Sequence, residues 1–151
     1  VTKALRLALP FGLAVLATAL VASVVQTQVN LAALALLGAP LTLGLNAATT
    51  AEDLVRFGPV MAAIAGAALL PALLVGLLAT RFAPRWRTAI LGLAGVAGLW
   101  TAFAVMGFFT PMPTLVAAVR GAVGLALMCT TGLVGGLVFA RLTDTDRRVR
   151  R

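Results

Sequence analysis

"QTQVNLAALALLGAPLTLGLN", residues 26–46, is the stretch on which the fold turns. It is too apolar for an ordinary loop. It offers only about 15 apolar positions in 31–45, against the roughly 20 that a membrane-crossing helix needs, and Gly38, Pro40 and Gly44 interrupt it. Its ends alternate. In "QTQVN", Gln26, Gln28 and Asn30 fall on one side, and in "LTLGLN" Leu41, Leu43 and Leu45 do. Period two is the mark of a half-buried strand. Between the two runs, "NLAALALLG" reads as a short helix capped by Asn30 and ended by Gly38. The stretch is therefore expected to be an extended–helix–extended cap lying on the membrane surface. A re-entrant loop is the alternative, and it would have to be buried in protein.

The rest of the chain supplies the membrane. Of 151 residues, 62% are hydrophobic, and the mean hydropathy is +1.09. A soluble domain with this composition could not cover its surface with polar groups, so lipid is its solvent. Four segments are long enough to cross, at about 5–25, 57–80, 88–109 and 114–140. Lipid obliges the backbone to pair within each segment, which makes each a helix. The expected fold is an all-α, four-transmembrane-helix bundle forming a single domain. The cap occupies 26–56 and a basic tail 141–151. Lys3 and Arg6 precede the first segment, but no cleavage-like run of small residues closes it, so it reads as a span and not a leader.

Charge orients the bundle. The net charge is +8. With four spans, every Lys and Arg except Arg56 and Arg120 falls on one face. A fifth span through residues 31–45 would scatter them. By the positive-inside rule both termini are then cytoplasmic and the cap is on the outer face. The basic clusters flank apolar helices, which points to topology and anionic lipid and not to nucleic acid. A compact chain rich in alanine, glycine and arginine suits a bacterial inner membrane.

Prolines and threonines mark the breaks. Pro59 is either the start of the second span or a kink inside it, depending on where that helix begins. Thr50 with Asp53, or Thr49 with Glu52, has the spacing of a capping box, which would start a helix near Ala51. Pro71 falls in mid-span, and "TPMPT" (110–114) makes a tight turn between the third and fourth spans. Trp86, among arginines, suits an interfacial anchor. Trp100 is expected to pack against a neighbouring helix, and Cys129 to be a small buried packing residue.

The residue inventory excludes most chemistry. With no histidine and no tyrosine, histidine-bound zinc, bis-histidine haem and serine–histidine catalysis are impossible. No metal or cofactor is expected, and the chain does not read as an enzyme. Nor does the first span hold a carboxylate that could load a proton for coupled transport.

One charge sits in an unusual place. Arg120 falls about six residues inside the fourth span, roughly 9 Å along a helix. It can pair with Asp53 or Glu52, snorkel to headgroups, or bind a ligand. A ligand would find Arg120, Asp53, Glu52, Arg56, Gln26, Gln28 and Asn30 at the same end of the bundle. Gly92, Gly95 and Gly98 on the third span, and Gly124, Gly132 and Gly136 on the fourth, allow close helix approach, within the bundle or to a partner. The favoured function is a non-catalytic accessory or scaffold subunit that packs with lipids, another membrane protein or a second copy. The alternative is a binder or transporter of lipid, quinone or a small molecule, with a cavity near Arg120.

Overall fold

The computed structural model describes residues 3–40, 42–109 and 116–148. Among these it is all-helical. The helices are α1 (Lys3–Leu36), α2 (Leu43–Arg56), α3 (Gly58–Ala79), α4 (Arg87–Phe109) and α5 (Ala122–Arg148), with short 3-10 turns at Pro84–Trp86 and Ala117–Arg120. α1, α3, α4 and α5 are long and apolar enough to cross a membrane.

The cap is not the strand–helix–strand element its alternation suggests. α1 runs unbroken for 34 residues, so "QTQVN" is helical and Asn30 caps nothing. Nothing after Pro10 stops the helix until Gly38, whose φ of 83° is left-handed. There the amide of Ala39 donates to Leu34 O and that of Gly38 to Ala35 O. This is the Schellman closure that glycine permits. Pro40 then holds the chain extended. α2 starts at Leu43 because Thr42, in extended backbone, accepts from the amide of Leu45 at 3.2 Å, as an N-cap does.

"TTAEDL" consequently lies inside α2 and forms no capping box. Thr49 and Thr50 donate instead to Leu45 O and Asn46 O, one turn back. Threonine makes this bond as readily inside a helix as it caps one, so spacing alone could not choose. Pro59 stands in the first turn of α3. Having no N–H, it cannot bond the Val55 carbonyl, and this separates α2 from α3 at Phe57. "TPMPT" lies outside the described residues.

The four long helices form a closed ring in the order α1, α3, α4, α5, with α3 and α5 touching across the diagonal. α2 packs on α1 and α3, on one side of the ring, and buries no residue of its own. Two apolar clusters fill the ring. At the α2 end, Met61, Leu99, Phe103, Val116 and Met128 pack with Ala19, Ala22 and Cys129. At the opposite end, Leu69, Leu73, Leu91 and Phe139 pack with Ala14 and Ala65.

Glycine determines how closely the ring closes. A Cβ on Gly95 would strike the Gly132 carbonyl, one on Gly132 the Gly95 carbonyl, and one on Gly136 the Leu91 carbonyl. The backbones of α4 and α5 are thus in direct contact, as small residues allow in lipid. Gly92 meets Leu133 of α5 at 2.8 Å by the same measure, and Gly98 faces Ala72 of α3 at 2.7 Å. Gly135 seats α5 on Thr18 of α1.

Candidate functional site

The polar residues of α1 determine what α2 does. Thr18, Ser23 and Thr27 are fully buried. The Thr18 and Ser23 hydroxyls donate one turn back, to Ala14 O and Ala19 O. That satisfies them in lipid without a partner. The Thr27 hydroxyl lies 3.0 Å from Ser23 O and 2.7 Å from Asp53 Oδ2, and its one proton goes to the nearer carboxylate, the link that joins α1 to α2. From the next residue of α1, Gln28 exchanges side-chain amide bonds of 3.1 and 3.4 Å with Asn46 and reaches Thr50 at 3.4 Å. Asn46, Thr50 and Asp53 recur at helical spacing, so α2 turns its polar face to α1. Its apolar residues point away, with Leu43 92% and Val55 76% exposed.

Gln26 is different. It is more than nine-tenths buried, and its Oε1 meets no hydrogen-bond donor among the described residues. Val25 and Val29, either side of it in sequence, pack on the apolar cluster at the α2 end. Asn30 is half-buried.

Arg120 is not inside a span. It closes the 3-10 turn Ala117–Arg120 and is exposed. The extended backbone of Gly121 separates it from α5. The apolar run through Arg120 looks continuous in sequence, but Gly124 packs beneath the Ala118 carbonyl, where any Cβ would collide. The chain therefore folds back on α5 before the helix begins. Arg120 pairs with neither Asp53, which takes Thr27, nor Glu52. Glu52 instead pairs with Arg56 at 3.1 Å, one turn along α2, with both side chains largely exposed. Such a pair is worth a few tenths of a kcal/mol. Of the seven expected ligand residues, the fold joins Gln28 and Asp53 to the α1–α2 seam, buries Gln26 and leaves Arg120 apart.

Two features escaped the sequence. The first is Arg87, at the start of α4, which reaches across to α5. It donates from Nη1 to Ala140 O at 3.1 Å and from Nη2 to Thr143 Oγ1 at 2.8 Å. In sequence it looks like any boundary arginine. The second is a groove of about 600 Å³ between α3 and α4, lined by Ala67, Pro71, Ala72, Ala97, Gly98 and Val105 among others. Thr101 is its one polar side chain, and that hydroxyl is already bonded to Ala97 O. Trp100, expected to pack against a neighbouring helix, is 57% exposed. Its helix turns Gly95, Gly98, Leu99 and Phe103 inward instead.

Among the described residues no three of Cys, Asp and Glu come together as metal ligands. Compared with models of known families, with curated proteins and with solved structures, the chain matches none.

Proposed function

We propose that this chain is a non-catalytic membrane subunit that holds one apolar transmembrane helix of a partner in the groove between α3 and α4. The groove carries the reading. Its size is that of a small-molecule site, but such sites orient their ligand with a few polar groups, and here the only hydroxyl is already used. Half of its lining residues are alanine or glycine, over which another helix can approach closely. It runs from Ala97 to Phe109, about 18 Å along α4, an elongated shape suited to a helix. The expected setting is a bacterial inner membrane with both ends of the chain cytoplasmic, supported by the arginines gathered at one end of the bundle.

The test is native mass in mild detergent. The parent is expected to travel as a discrete particle larger than one 15.4 kDa chain. The A72L/A97L variant, with its groove filled, is expected to run as a monomer of unchanged helicity. A parent that runs as a monomer with bound lipid would assign the groove to acyl chains and end the scaffold reading.

Gln26 favours a second reading, a ligand that donates a hydrogen bond at the α2 end. A buried acceptor without a donor costs about 1–3 kcal/mol, which a quinol or lipid hydroxyl would recover. Solvent extraction of purified protein would then yield a stoichiometric small molecule that Gln26→Met loses. Recovery of none would dismiss this reading.

A further inference from the structure

We propose that the α3–α4 connection is a binding site for the phosphate headgroup of an anionic phospholipid, formed by Arg81 and Arg85 together with the neighbouring exposed rings of Phe82 and Trp86. This goes beyond the scaffold reading and does not depend on it.

The connection is short and tightly wound. The amides of Arg81, Phe82 and Trp86 bond to carbonyls three residues back, at Leu78, Ala79 and Ala83. The Thr80 hydroxyl bonds to Leu77 O at 2.7 Å. These local bonds occupy the backbone amides and leave recognition to the side chains.

The structure divides the three arginines of this segment by role. Arg87 is drawn into the bundle by its bonds to Ala140 and Thr143 of α5. Arg81 and Arg85 are exposed, and neither meets a carboxylate among the described residues. Two guanidinium groups therefore stand uncompensated where two apolar helices end. Guanidinium presents a planar fork of donors that matches phosphate oxygens.

The rings decide between a lipid and a soluble anion. Phe82 is 92% exposed and Trp86 65%. Exposed aromatic rings flanking arginine at the end of a membrane-crossing helix sit at headgroup depth, with the ring toward the acyl chains. A soluble phosphate would leave both rings in water. A phospholipid covers the rings with its chains and the guanidinium groups with its phosphate.

The experiment uses the full chain carrying Trp100→Phe, so that Trp86 is the one remaining tryptophan. The protein is reconstituted into vesicles in which either phosphatidylglycerol or phosphatidylcholine bears brominated acyl chains, at equal mole fraction. Quenching of Trp86 is expected to be stronger with brominated phosphatidylglycerol, corresponding to about a fivefold preference per arginine at low salt. The R81Q/R85Q variant is expected to fall to the phosphatidylcholine level, and R81K/R85K to keep most of the preference. Helicity read alongside confirms that each variant is folded. Equal quenching by both lipids before the arginines are changed would overturn the site. So would a preference that survives R81Q/R85Q. Excess inorganic phosphate at constant ionic strength is expected to leave quenching unchanged. Its abolition of the preference would assign the arginines to a soluble anion and overturn the lipid assignment.

Discussion

Thr27 and Asp53 make the contact on which α2 depends. A hydroxyl donating to a carboxylate at 2.7 Å is a charge-assisted bond, and Asp53 has no basic side chain beside it among the described residues. Thr27→Val keeps the shape and the burial but removes the donor. It is expected to cost about 1 kcal/mol, felt locally. Hydrogen exchange should show α2 amides exchanging faster while those of α4 and α5 are unchanged. Equal protection of α2 in both proteins would mean that the Gln28–Asn46 pair alone holds it. Gln26 should behave in the opposite way. If its Oε1 is alone in the purified protein, Gln26→Met replaces an unpaired acceptor with an apolar chain of similar length. It is then expected to raise stability by about 1 kcal/mol in chemical unfolding. Arg87→Lys is expected to lose about 2 kcal/mol, since one ammonium cannot span both Ala140 O and Thr143 Oγ1 as the guanidinium does.

At the scale of elements, the glycine seam between α4 and α5 is the tightest junction. Gly95→Ala places a methyl group against the Gly132 carbonyl, and no side-chain rotation relieves a clash with backbone. A loss of about 1–3 kcal/mol is expected. Gly107→Ala on the same helix meets nothing within 4 Å and should gain up to about 1 kcal/mol from helix propensity. Thermal unfolding in detergent of the two single variants separates packing from propensity. Equal shifts would remove the seam from the account. Helices α1 and α2 show why period two misled the reading of residues 26–46. Five or six residues alternate by chance when small apolar and polar residues mix. Only the continuation of α2 to Arg56 shows that Asn46, Thr50 and Asp53 share a face.

At the scale of the whole molecule, length against membrane thickness is decisive. α1 has 34 residues, about 51 Å at 1.5 Å per residue, against a hydrocarbon core of about 30 Å. No tilt within the usual range of up to about 40° absorbs that excess. Some of α1 must therefore extend past the core, and Leu36, Leu37 and Leu43, at the turn into α2, are exposed. Four crossings would place the beginning and end of the chain on the same side, with the α1–α2 hairpin on the other. Reporter domains fused at each end are expected to give the same compartment. An accessible cysteine at position 37, with Cys129→Ala removing the native thiol, is expected to label from the opposite one. Reporters in different compartments would contradict the four-crossing bundle.

Composition and hydropathy by themselves determined that the chain is helical, with four segments long and apolar enough to cross a membrane, because lipid leaves a backbone no other way to satisfy its amides over about 20 apolar residues. The break at Gly38 was equally legible, since glycine acts through local backbone geometry. Tertiary structure alone decided which polar residues meet. Thr27 found Asp53 through the return of α2 along α1, 26 residues later in sequence, and Arg87 found α5 across more than 50. It also took Arg120 out of the span where its spacing had put it. A helix face is periodic and can be read from one segment, whereas a contact between two segments depends on how both are turned, and that is set only when the backbones close on one another at Gly95, Gly132 and Gly136.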